Sequence, residues 1–194
     1  MKIIDGDLLD AFGRDEIDVL FHVANQHAVF GSGIALSIKN TYPRAYHVDC
    51  VYNEENGGLS PLGTFSCVMV AGGQRIFNIY GQEGIGCDPS DPLSRNCRYD
   101  AFYDGVYKMF QYITTSYPYI NWDYVNVGCP YNIASCRAGG DFTIILAILE
   151  SLEKLFPKIQ IMIYKLENFE TNAKSSVVIP QKSLKGSWGF TTKD

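Results

Sequence analysis

Residues Val23-Ala24-Asn25-Gln26-His27-Ala28-Val29-Phe30-Gly31-Ser32-Gly33-Ile34-Ala35 carry the chain from an apolar strand through a glycine-bearing turn into a helix. That junction restricts the fold more than any other stretch. Upstream, Ile17-Asp18-Val19-Leu20-Phe21-His22-Val23 is dense in β-branched and aromatic residues, the pattern of a strand buried on both faces of an α/β sheet. Downstream, Ile34, Ile38 and Tyr42 recur at helical spacing, and Pro43 is expected to end the segment. Gly31 and Gly33 let the backbone take positive φ and let an anion approach main-chain N–H groups unhindered by a Cβ. The same glycines also suit a tight connection that holds no ligand. Neither common nucleotide fingerprint is present: there is no G-x-x-x-x-G-K-[S/T], and Gly31-Ser32-Gly33 lacks the last glycine of G-x-G-x-x-G.

A second junction has the same form. Ala138-Gly139-Gly140-Asp141-Phe142 follows the strand candidate around Val125-Asn126-Val127 and opens a helix. Its apolar face is Ile145, Ile148, Leu149 and Leu152, continued by Leu155 or Phe156. Asp141 is placed to cap that helix, and equally to do acid–base work at a cleft. Two such turns on one parallel sheet lie together at the carboxyl edge of the strands, where open α/β folds bind ligands.

The remaining strand candidates are Lys2 to Asp5, Thr64 to Val70, Gln74 to Tyr80 and Gln160 to Tyr164, beside Asp18 to Val23 and Tyr124 to Val127. Helices are expected at Gly33 to Thr41, Arg44 to Asn53, Tyr99 to Ser116 and Asp141 to Phe156, with a hairpin turn at Ala71-Gly72-Gly73. This alternation predicts a three-layer α/β/α domain around a mixed, mostly parallel central sheet. Gly81 to Asn96 has no periodicity and is long enough to be a lid or binding loop.

At 194 residues the chain fits one domain of ordinary size. A formal charge of -5 without a Lys/Arg run argues against a nucleic-acid backbone as partner, so an anionic ligand has to be held by local dipoles and few cations. No apolar run reaches membrane length, and a soluble, cytoplasmic protein is expected. The six cysteines form no C-x-x-C pair, and there are only three histidines, His22, His27 and His47. Free thiols, no metal site and no cofactor are therefore expected, with Cys67 read as a small buried apolar residue.

His22-Val23-Ala24-Asn25 followed by Gly31-Ser32-Gly33-Ile34-Ala35 and Tyr42-Pro43 resembles the first loop of macrodomains. The variant is similar to the branch of ADP-ribose 1″-phosphate phosphatases and their bacteriophage relatives. Leu62-Gly63-Thr64, Ile79-Tyr80-Gly81-Gln82, Tyr99-Asp100-Ala101-Phe102 and Ala138-Gly139-Gly140-Asp141-Phe142 extend the resemblance in the same order. It covers about Met1 to Leu166, which makes residues 1–166 one macrodomain and residues 167–194 a C-terminal extension, either a tail or an added edge strand.

The resemblance implies a cleft for ADP-ribose or ADP-ribose 1″-phosphate. Asp7 would accept from the adenine amine, which suits a carboxylate because it only accepts; the residue also suits a turn after the first strand. Asn25 would bond the distal ribose. Gly31, Ser32, Gly33 and Ile34 would line one phosphate, and Gly139 and Gly140 would form the wall of the second loop. His22 and Asp141 are the implied acid–base residues, although strand alternation can instead turn His22 into the core. The implied reaction is metal-independent hydrolysis of ADP-ribose 1″-phosphate to ADP-ribose and phosphate. Alternatives are a non-catalytic binder of ADP-ribose or a related NAD-derived nucleotide, and a hydrolase that removes ADP-ribose from modified macromolecules. If phage-encoded, the protein would work in the host cytoplasm. One departure stands out: Ile133-Ala134-Ser135-Cys136 and then Arg137 replace the Ile-Gly-Cys-Gly usual in that branch, which removes two glycines and adds a cation.

Overall fold

The computed structural model describes residues 1–88, 91, 94–116, 119 and 122–167. The expected C-terminal extension lies outside the described residues, save Glu167. Among the described residues the strands are β1 (Lys2–Asp5), β2 (Val19–Asn25), β3 (Phe65–Met69), β4 (Arg75–Gln82), β5 (Val125–Pro130) and β6 (Ile159–Lys165). The helices are α1 (Leu8–Gly13), α2 (Gly33–Thr41), α3 (Pro43–Glu55), α4 (Tyr99–Thr115) and α5 (Phe142–Leu155). The sheet order is β1-β6-β5-β2-β4-β3. All pairings are parallel except β3 with β4, which the turn at Ala71–Gly73 joins as a hairpin. This is the mixed, mostly parallel sheet between helical layers that the alternation of elements predicts.

Side-chain alternation sorts the strands' residues into two cores. Val19 and Phe21 of β2 pack with Phe102, Val106, Met109 and Phe110 of α4 and with Ile145, Leu149 and Leu152 of α5. Leu20 and Ala24, of opposite parity, pack with Leu8, Ala11 and Phe12 of α1, Ile38 of α2 and Ala45 of α3. Helices α4 and α5 thus cover one face and α1 to α3 the other. The apolar residues of α4 recur every three or four positions and form one stripe, and each fully buried Phe or Ile contributes about 2 kcal/mol to folding.

Local chemistry explains where the elements depart from expectation. Pro43 does not simply stop α2; it occupies the first turn of α3, where its missing N–H has no intrahelical acceptor to satisfy. Helix α1 has six residues, too few for a legible apolar period, yet Asp7 caps it. Its carboxylate Oδ1 accepts from Leu9 N at 2.7 Å and Asp10 N at 3.1 Å. Strand β2 runs on to Asn25, so that residue closes the strand rather than opening the loop. No described helix is long and apolar enough to cross a membrane.

Candidate functional site

Strands β2 and β5 are neighbours and parallel, so the loops that follow them leave the same edge of the sheet side by side. In the first loop, Asn25 folds the chain back on itself. Its Oδ1 accepts from His27 N at 2.9 Å and Val29 N at 3.3 Å, while Nδ2 donates to Val29 O at 2.8 Å. Gln26 ties the loop to the body: its N donates to Gln82 O, its Nε2 to Ser60 O, and its carbonyl accepts from Asn53 Nδ2 at 2.7 Å. The loop is therefore held before any ligand arrives. Ser32 stands at the cap position of α2 in extended conformation, with its hydroxyl making no capping bond. Gly33 follows with φ +57, whereas Gly31 does not adopt a left-handed backbone. Ile34 is half-buried against the α1 to α3 core, and His27 is exposed.

The second loop is drawn tighter. Gly139 has φ +70, and a Cβ there would lie 2.7 Å from Ser94 O; one on Gly140 would lie 2.6 Å from Ala134 O and 3.0 Å from Cys97 Sγ. Neither position has room for a side chain. The carbonyl of Ala138 accepts from Asn96 N at 3.0 Å and Cys97 N at 2.8 Å, so the long segment after β4 folds down onto this loop. Ala134 holds φ +60 and Asn132 φ +56. Ala134 holds this left-handed backbone without the freedom of a glycine, at a cost of about 1 kcal/mol. Asp141 is exposed and caps α5 through Thr143 N at 2.7 Å, and its own N–H donates to the Tyr99 hydroxyl at 2.7 Å.

The two loops touch through Arg137. Its Nε lies 3.6 Å, and its Cδ 3.8 Å, from the point a Cβ of Gly33 would occupy, so the arginine stem crosses from the second loop to rest on the first. Asp7 lies farther along the same edge, after β1. With parallel strands about 4.8 Å apart, the three intervals from β1 to β2 make about 14 Å. Anything that touches both Asp7 and Gly33 must be elongated.

His22 belongs elsewhere. It shares the parity of Leu20 and Ala24, is fully buried, and sits edge-on to Phe30 with ring centroids 5.0 Å apart. Its Nε2 is 2.8 Å from Asn78 Oδ1. The Asn78 Nδ2 donates to Ala45 O and to Ser66 Oγ, which fixes the amide's orientation, so its Oδ1 faces the ring and Nε2 must carry the proton. Burial presses the imidazole down to about 4, so it is neutral near pH 7. From Ser66 the network continues to the Tyr80 hydroxyl at 3.0 Å, which donates to Asp49 Oδ1 at 2.8 Å. Burial lifts the Asp49 carboxyl to about 6 despite that bond. Neither His22 Nδ1 nor Asp49 Oδ2 has a hydrogen-bond partner among the described residues. The structure thus brings Gly31, Ser32, Gly33, Gly139, Gly140 and Asp141 to one edge and seals His22 beneath it.

Other side chains of the site gave little sequence signal. Gln26 and Asn53 act through backbone atoms distant in sequence, and Tyr99 acts through one N–H on another loop. Arg95 stacks on Tyr99 at 4.6 Å, and Arg98 pairs with Glu83 and Asp100.

No protein-family model matches the sequence, and no curated protein matches it. Solved structures do match, and they show the fold. A protein of unknown function from Bacteroides thetaiotaomicron superposes with TM-score 0.70 at 21% identity, covering 86% of this chain and 99% of its own. The macrodomain of Mycobacterium tuberculosis DarG gives 0.62 at 20% identity, covering 84% of this chain and 97% of its own. Thermosipho africanus DarTG, a structure in complex with ADP-ribose, gives 0.60 at 13% identity; the match takes in 85% of this chain and 42% of that longer protein. The fold is that of a macrodomain.

Proposed function

We propose that this chain binds ADP-ribose along the carboxyl edge of its sheet. The observation that carries the reading is the meeting of two glycine loops on adjacent strands, with Asp7 about 14 Å away along the same edge. A nucleoside diphosphate joined to a second sugar has the required length, with anionic charge in its middle and an amine at one end. The DarTG complex with ADP-ribose, on the same fold, supports this choice. In this reading Asp7 accepts from the adenine amine through the oxygen its cap does not use. The main-chain N–H groups of Gly31, Ser32, Gly33 and Ile34 line one phosphate, Gly139 and Gly140 close the other wall, and Asn25 shapes the ribose end.

Hydrolysis of ADP-ribose 1″-phosphate is the second reading, favoured by the exposed carboxylate of Asp141 at the mouth of the second loop. Asp141 would take a proton from the attacking water as the phosphorus–oxygen bond to the sugar breaks and return it to the departing sugar oxygen, and the N–H groups of the first loop would hold the developing charge. His22, neutral and sealed from solvent, would act by holding Phe30 and Asn78 rather than by exchanging protons with substrate.

Calorimetry with ADP-ribose, and phosphate release from ADP-ribose 1″-phosphate in the presence of chelator, test both readings. Binding should weaken at least tenfold in Gly139→Ala, because the added Cβ meets the Ser94 carbonyl. Phosphate release by the wild type that is lost in Asp141→Asn, with ADP-ribose affinity kept, supports the phosphatase. Affinity without release makes the protein a binder. No affinity for ADP-ribose rejects the proposal.

A further inference from the structure

We infer that Arg137 is the phosphate-selecting residue of this cleft, a cation that reaches from the second loop over Gly33 to grip the ligand's diphosphate together with the N–H groups of the first loop. The inference rests on the ADP-ribose reading for the identity of the ligand but not for the role of the arginine.

Three observations carry it. The first is placement: Nε and Cδ of Arg137 lie over Gly33 at 3.6 and 3.8 Å, so a residue that follows β5 has its charge beside the loop that follows β2. The second is that the charge is uncommitted. Other arginines near this edge are occupied, Arg98 with Glu83 and Asp100 and Arg95 on the ring of Tyr99, whereas the exposed guanidinium of Arg137 forms no ion pair or hydrogen bond with the described residues. The third is the strain of the loop that presents it. Asn132 and Ala134 are held at positive φ, and the Ala134 carbonyl accepts from Gly140 N at 3.1 Å, so the turn bearing Arg137 is fixed on both sides.

A guanidinium offers a planar fork of donors that matches two phosphate oxygens at once, and its charge-assisted bonds are about twice as strong as those of neutral donors. In a chain of net charge -5, one unpaired cation beside the glycines adds to the attraction that the loop N–H groups offer a dianion. Selectivity follows. Ligands with two phosphates gain from Arg137, while the nucleoside alone gains nothing.

The test measures binding of inorganic pyrophosphate, adenosine and ADP-ribose to the full-length protein and to its Arg137→Gln and Arg137→Lys variants, with melting curves to establish that each variant is folded. Arg137→Gln should lose about tenfold or more in affinity for pyrophosphate and ADP-ribose and leave adenosine unchanged. Arg137→Lys should recover part of the loss, because charge returns without the fork. Added salt should weaken ADP-ribose binding less in Arg137→Gln than in the wild type. Equal affinities of wild type and Arg137→Gln for pyrophosphate and ADP-ribose would overturn the inference, as would tighter binding by the variant or no wild-type affinity for either ligand. If pyrophosphate binding depends on Arg137 while ADP-ribose binds no more tightly than pyrophosphate, the role of the arginine stands and the ADP-ribose reading fails.

Discussion

Two polar regions of this protein lie above and below the same strand and obey opposite rules. Beneath β2, the chain from His22 through Asn78, Ser66 and Tyr80 to Asp49 is sealed in the α1 to α3 layer, and nearly every polar atom in it has a protein partner. At the end of β2, the N–H groups of Gly31, Ser32 and Gly33 and the guanidinium of Arg137 make no hydrogen bond among the described residues, while those of Gly139 and Gly140 are bonded within the second loop. A buried polar atom without a partner costs about 1–3 kcal/mol, so the first region pairs all its side-chain polar atoms except His22 Nδ1 and Asp49 Oδ2 at its two ends, whereas solvent lets the second keep its capacity for a ligand. The comparison teaches that a closed polar chain marks scaffold here and open donors mark the candidate site. A histidine beside a ligand loop is placed by this rule with the scaffold.

The largest effect should come from cutting the sealed network. Asn78→Ala removes the partner of His22 Nε2, Ala45 O and Ser66 Oγ together, and denaturant unfolding should show a loss of about 3 kcal/mol. A loss below about 1 kcal/mol would break the comparison, because it would mean that the buried polar groups do not depend on one another.

Next in size is a pH effect that the wild type conceals. Asp49 rises from 3.8 to about 6 on folding, so its contribution to stability is complete below pH 3.8 and is lost as pH rises through 6. His22 falls from 6.5 to about 4, so its contribution is complete above pH 6.5 and is lost as pH falls through 4. The two slopes oppose each other over nearly the same window, so in the wild type these two contributions should nearly cancel between pH 4 and 6. In Asp49→Asn only the histidine remains, and stability should climb by about 3 kcal/mol from pH 4 to 6.5. A flat profile for that variant, measured by urea unfolding across the range, would show that the ring is not sealed.

The smallest effect belongs to the open region. Ala134→Gly relieves a left-handed alanine but gives the unfolded chain more freedom, for a net gain of about 0.5 kcal/mol. It should also loosen the loop that presents Arg137 and lower affinity for ADP-ribose by a few-fold. Higher stability with unchanged affinity would sharpen the comparison by showing that the loop's strain is idle.

The amino-acid sequence determined the fold class because its signals are local: the apolar run of β2, the helical stripe of α4 and the hairpin glycines at Ala71–Gly73 each lie within one element. It also made both glycine junctions legible, along with the cap at Asp141, whose acceptor and donor lie two residues apart. It missed α1, too short for a period, and read Pro43 as a stop where the proline begins α3. Only the tertiary structure decided which face received His22, because parity identifies two faces without saying which one meets the ligand. Only the structure could lay Arg137 over Gly33, since 103 residues lie between them and the parallel pairing of β2 with β5 is what brings the arginine Nε to 3.6 Å from where a Gly33 Cβ would stand.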